Sequence, residues 1–365
     1  MKFHCERDSL ADALSTASRA AGGGTSALPV LAGLRLELVG DELSVTGTDM
    51  DLTIELGITV RGAVDGVAVV PGKLAADVVR AMAPGAIEVE VSADEVTISG
   101  GRSEFLLRPF AADDFPKTAS PASSAITLPA AEFSDALRQV VRAASTDKDR
   151  PIITGVLLTA EADGLRLVAT DSYRLAVRDL PGAAVLGADQ KVLVPSRALA
   201  ELQRVLAHGT ELTLRLGERD ATFEVGGTRL TTRLIEGEYP NYRNLIPSSY
   251  PNTVTMGREP LLEALRRVKI LATRDATPVR LAVSAEAVQL TTVTADIGTA
   301  QESIDTSFDG AELTVAFNPD YLASGVEAVD GDEVTLELLD GLKPAVIRGV
   351  GHSDYLYLLM PVRVP

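Results

Sequence analysis

Few residues of this chain stand where chemistry would need them. Asp49 and Asp51 lie two apart, a spacing that on a strand puts two carboxylates on one face, as an acid–base pair or a cation site would need. They also fit a turn at the end of a strand, the commoner use of Asp beside Thr48. His352-Ser353-Asp354 sets the residue types of a nucleophilic triad side by side. Triads are assembled in space, and three neighbours rarely converge, so this segment reads as a turn before the last strand. Gly66 through Gly72-Lys73 has a phosphate-loop flavour. Its spacing is one residue too long, and Leu74 stands where a hydroxyl would hold magnesium. His4, His208 and His352 are scattered, with no second ligand at metal spacing. Cys5 is the single cysteine, which excludes an internal disulfide and fits a reducing cytosol. It reads as a buried, inert thiol in a first strand. The residues therefore give no catalytic constellation, no metal site and no cofactor motif, and the reading is non-enzymatic.

The larger pattern is a repeat. Val70-Pro71-Gly72-Lys73, Val194-Pro195-Ser196-Arg197 and Asn318-Pro319-Asp320-Tyr321 each join an alternating stretch to an amphipathic one, at a period of 124 residues. Phe115-Pro116, Tyr239-Pro240 and Met360-Pro361 are taken as closing each unit. An alternating strand runs into Thr48-Asp49 and again into Thr170-Asp171. The third copy, Val288–Val293, keeps the strand and loses the acid. Repeats of this length are tandem domains, not solenoid turns. The expected domains are 1–120, 126–247 and 252–365, joined by linkers at Ala119–Ala125 and near Pro247-Ser-Ser-Tyr-Pro-Asn252.

Each unit should hold two helices, at 7–20 and 72–83, 129–143 and 195–207, 259–274 and 318–328. Their apolar residues recur at helical spacing, as in Leu199, Leu202 and Leu206. Pro71, Pro195, Pro260 and Pro319 read as first-turn prolines. Between the helices the alternation of Leu212–Leu216 and Val334–Leu338 predicts half-buried strands. The fold class is α+β: three tandem units, each with two helices packed on antiparallel sheets.

The net charge is −17. The six helical windows hold twelve basic and ten acidic residues, so the acidity lies in strands and loops. Cations near helix C-termini complement the helix dipole, which accounts for part of the bias. The other account is a weakly basic helical layer facing a polyanion. No run of about 18 apolar residues predicts a membrane span, and Met1–Asp8 has no apolar signal-peptide core.

Ala169-Thr-Asp-Ser-Tyr-Arg-Leu-Ala176, Tyr239-Pro-Asn-Tyr-Arg243 through Leu245-Ile-Pro247, Phe317-Asn-Pro-Asp-Tyr321 and the ending Tyr357-Leu-Leu-Met-Pro-Val-Arg363 together resemble the bacterial sliding-clamp family, the β subunit of the replicative DNA polymerase. The resemblance spans the whole chain, in register with the repeat. It implies a non-enzymatic processivity factor: a head-to-tail homodimer closed into a ring around duplex DNA, opened by a clamp loader, with a cytoplasmic location and no membrane partner. It also implies a pocket for the polymerase and other partners that carry a clamp-binding motif. Carried over, that pocket uses Ile153, Thr170, Tyr173, Arg174, Leu175, Pro247, Asn318, Tyr321, Leu342, Pro344, Leu358, Leu359, Met360, Pro361 and Arg363. The bland reading of Leu358-Leu-Met-Pro is a last core strand ended by proline. DNA contact falls to Arg19, Lys73, Arg80, Arg138, Arg142, Lys148, Arg150, Arg197 and Arg204. The dimer contact sets Phe105 and Leu107 against Ile270 and Leu271.

The chain departs from the family at Thr25, where an arginine is usual, and at Pro151-Ile152, where a tyrosine pair is usual. Ser172-Tyr173 replaces Gly-His, Ala276 replaces an aromatic residue, and the acids that hold the ring are reduced to Asp296 and Glu302. The different-class reading is a peptide-binding scaffold that does not encircle DNA.

Overall fold

The computed structural model describes residues 1–23, 28–92, 94–117, 125–161, 164–183, 186–187, 190–272 and 277–363. Thr25, Arg274, Ala276 and most of the Ala119–Ala125 linker lie outside them. Among the described residues there are six α-helices: α1 Arg7–Ser18, α2 Gly72–Ala81, α3 Ala130–Val140, α4 Ser196–Val205, α5 Arg258–Lys269 and α6 Pro319–Ala328. Each falls inside or within a residue of the window its periodicity predicts. α4 shows why: Ala198, Leu199, Leu202 and Val205 are buried on one face, while Arg197 and Arg204 remain outside. Among the described residues no helix is long and apolar enough to cross a membrane.

Two of the four prolines sit differently from expectation. Pro260 and Pro319 are in first turns. Pro71 and Pro195 instead end the strands Gly66–Pro71 and Lys191–Pro195, each an edge strand of its sheet. A proline lacks the donor a ladder needs, and an edge is where that loss is tolerated.

The strands pair antiparallel throughout and form a five-, an eight- and a twelve-stranded sheet. By contacts the chain divides into two compact units, Met1–Ala131 with Arg197–Leu234, and Glu132–Ser196 with Ile235–Pro365. Strand pairing explains why two units emerge from three repeats. In the first unit Leu52–Thr59 of the first repeat pairs with Thr228–Arg233 of the second, from Thr228↔Leu56 to Thr232↔Leu52. In the second unit Arg174–Pro181 of the second repeat pairs with His352–Leu359 of the third, from Arg174↔Leu359 to Arg178↔Tyr355. In both cases the strand after the Thr-Asp turn takes the last strand of the following repeat.

The repeat is written in the backbone as well. Among the described residues the non-glycine positions with positive φ are Met50 at 82°, Ser172 at 82° and Asp296 at 64°. Each lies two residues after a threonine that ends a strand: Thr48, Thr170 and Thr294. The third copy therefore keeps the turn, although its acid sits one place later. The closing marker is not equivalent in all copies. Phe115-Pro116 and Tyr239-Pro240 lie several residues beyond their last strands, whereas Met360-Pro361 follows His352–Leu359 directly. His352-Ser353-Asp354 is not a turn but the start of that last strand, where Asp354 pairs with Arg178.

The first unit's core gathers Phe3, Leu10, Leu14, Val79, Ile87 and Val89. Cys5 is buried with them, and burial, aided by the Glu6 charge, pushes its thiol up to about 12. Gly47 lets α1 lie against the Glu42–Thr48 strand, because a Cβ there would sit 2.1 Å from the Ala17 carbonyl oxygen. The Gly47→Ala variant should lose about 1–3 kcal/mol of stability in a denaturant titration of the first unit's transition. Native Cys5 should resist alkylation at pH 8 until the protein unfolds.

Candidate functional site

The four residues Thr170–Tyr173 and the following Arg174 form the best-organised polar constellation of the second unit. Thr170 Oγ1 donates to the Arg174 carbonyl at 2.7 Å and accepts from the Ser172 amide at 3.2 Å. Asp171 Oδ1 accepts from the amides of Tyr173 and Arg174 at 2.9 and 3.0 Å. Its other oxygen takes Arg174 Nε at 2.9 Å. The first unit repeats this turn. Thr48 Oγ1 donates to the Leu52 carbonyl, and Asp49 Oδ1 accepts from the Asp51 and Leu52 amides. Its second oxygen pairs with Arg197 of α4. Asp49 and Asp51 thus belong to a strand-end turn and do not form a carboxylate pair. Only in the second unit does the acid hold an arginine of its own turn.

That arginine is the centre of an aromatic cluster. The Arg174 guanidinium carbon lies 4.4 Å from the centroid of the Tyr321 ring. Tyr173 stacks on Tyr321 with centroids 6.4 Å apart and planes 29° apart. Tyr357 Oη donates to the Tyr321 carbonyl at 2.9 Å and so ties the start of α6 to the last strand. α6 can come this close because a Cβ on Gly325 would fall 2.4 Å from the Tyr357 ring. Burial and the Asp171 charge hold the Tyr321 phenol above its usual range. Burial acts to lower Arg174, but Tyr357 and Asp171 outweigh it and leave the guanidinium more firmly charged than usual. The result is a fixed cation with an aromatic wall.

The C-terminal segment runs beside this cluster. The Met360 amide donates to the Tyr173 carbonyl at 2.9 Å, and the Val362 amide to the Ala316 carbonyl at 2.7 Å. Leu358 and Leu359 are wholly inside the sheet, so the core-strand reading holds for them. Exposure begins at Met360, which is 39% accessible. Leu358 and Leu175 share a core with Leu157, Val177 and Val346, and Ile246, next to Pro247, packs on its edge.

The predicted residues therefore fall into groups. Thr170, Tyr173, Arg174, Leu175, Tyr321, Leu358, Leu359 and Met360 come together, with Pro361 continuing from them. Ile153 is buried in the 3-10 turn Pro151–Thr154. Asn318 is occupied: its Oδ1 caps α6, accepting from the amides of Asp320 and Tyr321. Leu342 lines a cavity of about 260 Å³ with Arg280, Ala316 and, from the same C-terminal segment, Val362, and Pro344 follows it half-buried. Arg363 is exposed. Sequence reasoning missed Asp171 and Tyr357, although the recurring Thr-Asp pair pointed to the first.

Of the nine bases expected at DNA, seven carry acids. Arg19 and Arg204 face Glu201, Arg80 faces Asp77, and Arg138 faces Asp330. Arg142 faces Glu327, Arg150 faces Asp147, and Arg197 faces Asp49. Among the described residues Lys73 and Lys148 have no such partner. At the expected dimer contact, Ile270 is 74% exposed and Leu271 half-buried. Phe105 is exposed, but Leu107 points into its own core at 7%. The exposed neighbour is Leu106, because strand alternation sends the two leucines to opposite faces.

Family comparisons match residues 1–119, 127–241 and 243–363 to the N-terminal, central and C-terminal domains of the DNA polymerase III beta subunit.

The chain belongs to that family.

It is 33% identical to the beta sliding clamp of Streptomyces coelicolor and 33% identical to that of Synechocystis, with all of each chain covered. The DnaN sliding clamp of Bartonella birtlesii, solved bound to griselimycin, superposes with a TM-score of 0.94 at 26% identity and full coverage of both chains. The Bacillus subtilis sliding clamp gives 0.92 at 27%, again with full coverage. The three clamp domains, the six helices and the antiparallel sheets are thus those of the family.

The Asp171–Arg174 pair is nearly buried, with side-chain exposures of 11% and 13%. Asp171→Ala strands the guanidinium and two amides, and should cost about 3 kcal/mol in thermal or chemical melts. Met50→Gly removes a left-handed side chain without touching a bonded group, and should stabilise by about 1 kcal/mol.

Proposed function

We propose that this chain is a sliding clamp whose two copies close head to tail around duplex DNA and hold a polymerase there by topology. The observation that carries this reading is the seam pattern. Twice within the chain, the strand after the threonine turn takes the last strand of the next repeat. The third strand in that series is Gly298–Asp309. Its first eight residues pair on one side only, with Ala287–Thr294, and are largely exposed. The unclaimed last strand is Ser103–Leu107, the edge of the five-stranded sheet, with Phe105 and Leu106 open to solvent. Extending the rule joins the third repeat of one copy to the first of another. Two such seams close on themselves. An exposed apolar edge strand is an aggregation hazard when left unpaired, and this pairing removes it. Ile270, beside this third-repeat edge, supplies apolar area.

The domains run over 1–120, 126–247 and 252–365. The helices face the DNA, and their near balance of charge suits sliding, since few phosphates are neutralised and no base is read. Partners dock at the Tyr173–Arg174–Tyr321 cluster and the Met360–Val362 segment. There an extended peptide motif finds an aromatic wall, a fixed guanidinium and an adaptable methionine. A clamp loader opens the ring, and the work takes place in the cytoplasm.

Retention on DNA is the direct test. The protein should stay on nicked circular duplex and be lost within one cleavage when the circle is linearised; equal retention on both forms would favour a scaffold. Ile270→Asp with Leu271→Asp should give monomers in sedimentation, because charge is then placed in the seam. Truncation after Met360 should weaken binding of a polymerase tail peptide about tenfold and leave the dimer intact; the cut spares the core strand His352–Leu359.

A further inference from the structure

The helical layer is not a bare cationic lining. In the second unit α3 and the end of α6 are joined by charge. Arg138 Nη2 lies 2.8 Å from Asp330, and Arg142 Nη1 lies 3.0 Å from Glu327. Between them the Gln139 amide donates to the Ala328 carbonyl at 2.9 Å and to Asp330 at 3.0 Å. α5 follows suit: Arg267 makes a two-pronged pair with Glu302 at 2.9 and 3.0 Å, and Lys269 pairs with Asp320. In the first unit Glu201 sits between Arg19 and Arg204, and Asp77 holds Arg80. Among the described bases of the six helices, Lys73 alone has neither an acid nor a carbonyl partner.

We propose that these acids are built-in competitors for DNA phosphate, so that the strength of the clamp's hold on duplex is set by Asp77, Glu201, Glu327 and Asp330 as much as by the arginines. This rests on the clamp reading above. The pairs of Arg80, Arg138 and Arg142 are a third or more exposed on both sides, so each is weak and a phosphate can displace it. Glu201 is more enclosed, at 16% exposure, but its contacts with Arg204 and Arg19 are loose at 3.7 and 3.9 Å. Displacement uncovers a carboxylate beside the incoming phosphate, and that repulsion offsets what the guanidinium gains. An arginine that exchanges one anion for another also contributes little net counterion release, and the salt dependence of binding follows the number of phosphates newly neutralised. Lys73 and Lys148, with no acid to leave, are the bases that engage DNA at no such cost. The outcome is a surface that touches DNA often and grips it weakly, as a sliding ring requires.

The test uses a short linear duplex, on which topology plays no part, with affinity measured by fluorescence anisotropy over a range of salt. Because Arg138 also faces Asp135 at 3.7 Å, Asp135→Asn, Glu327→Gln and Asp330→Asn together free two guanidinium groups per chain in the second unit. Glu201→Gln independently frees Arg19 and Arg204 in the first, which guards against loss of the α3–α6 junction. Each variant should bind the linear duplex roughly fivefold or more tightly, with a log–log salt slope steeper by about 2 per chain. Unchanged slopes in both, with folding intact by circular dichroism, would overturn the proposal. Retention of the wild type on nicked circular DNA is measured alongside. If it is retained while the slopes do not move, the competitor idea alone falls; if it is not retained, the clamp reading falls with it.

Discussion

Antiparallel pairing between the last strand of one repeat and the post-turn strand of the preceding one is the constraint on which this structure depends. A clamp repeat ends in a strand that its own sheet does not complete. Each intact seam therefore converts two edges into the interior of a longer sheet, and satisfies backbone groups that would otherwise be left to water. Thr228–Arg233 does this in the first unit and His352–Leu359 in the second. The compact units cut across the repeats for this reason. A rule used twice within a chain leaves one donor and one acceptor edge unused, and in the proposed ring these are the ends through which a second copy continues the series.

The seam of the second unit also positions the candidate site. The Thr170–Arg174 turn lies at the mouth of the pairing, so the residue that begins the seam, Arg174, is also the one Asp171 fixes and Tyr321 covers. The last strand runs on from its final pair into Met360 and Val362, each anchored by a single main-chain bond. One face of that strand carries Leu356 and Leu358 into an apolar core, and the other carries Tyr355 and Tyr357. A rigid sheet thus ends in a short, exposed, partly tethered segment beside a fixed cation. The equivalent turn in the first unit has the same hydrogen bonds but offers Leu52, wholly buried, in place of Arg174. Identical local geometry carries a different surface because one side chain differs.

Much of this was legible in the sequence. Helix positions followed from apolar spacing, the threefold repeat from proline and Thr-Asp markers, and the family from four motifs in order. These signals are local, and local propensity together with side-chain period is enough to set them. Cys5 as a buried thiol and Asp49 in a turn were legible for the same reason. The misreadings share another cause. His352-Ser353-Asp354 looks polar enough for a turn but begins a strand, because its backbone is claimed by the hairpin partner Ala345–Gly349. Met360-Pro361 matched the spacing of the other closing pairs without matching their place in the fold.

What the chain alone determined is its modular plan: three copies of one α+β unit, each with a strand, a tight turn and a pair of amphipathic helices. What only the tertiary structure decided is which surface groups are free. Seven of the nine predicted DNA-facing bases find acids, Asn318 is spent on capping a helix, and Leu107 gives its exposed place to Leu106. Some of these partners are near neighbours, as in Arg80 with Asp77 and Asn318 with the Asp320 amide, but Arg19, Arg138, Arg142 and Arg197 meet acids far away in the chain, as Arg138 meets Asp330. Charge and hydrogen bonding act through space, and a linear pattern does not record which distant partner arrives first.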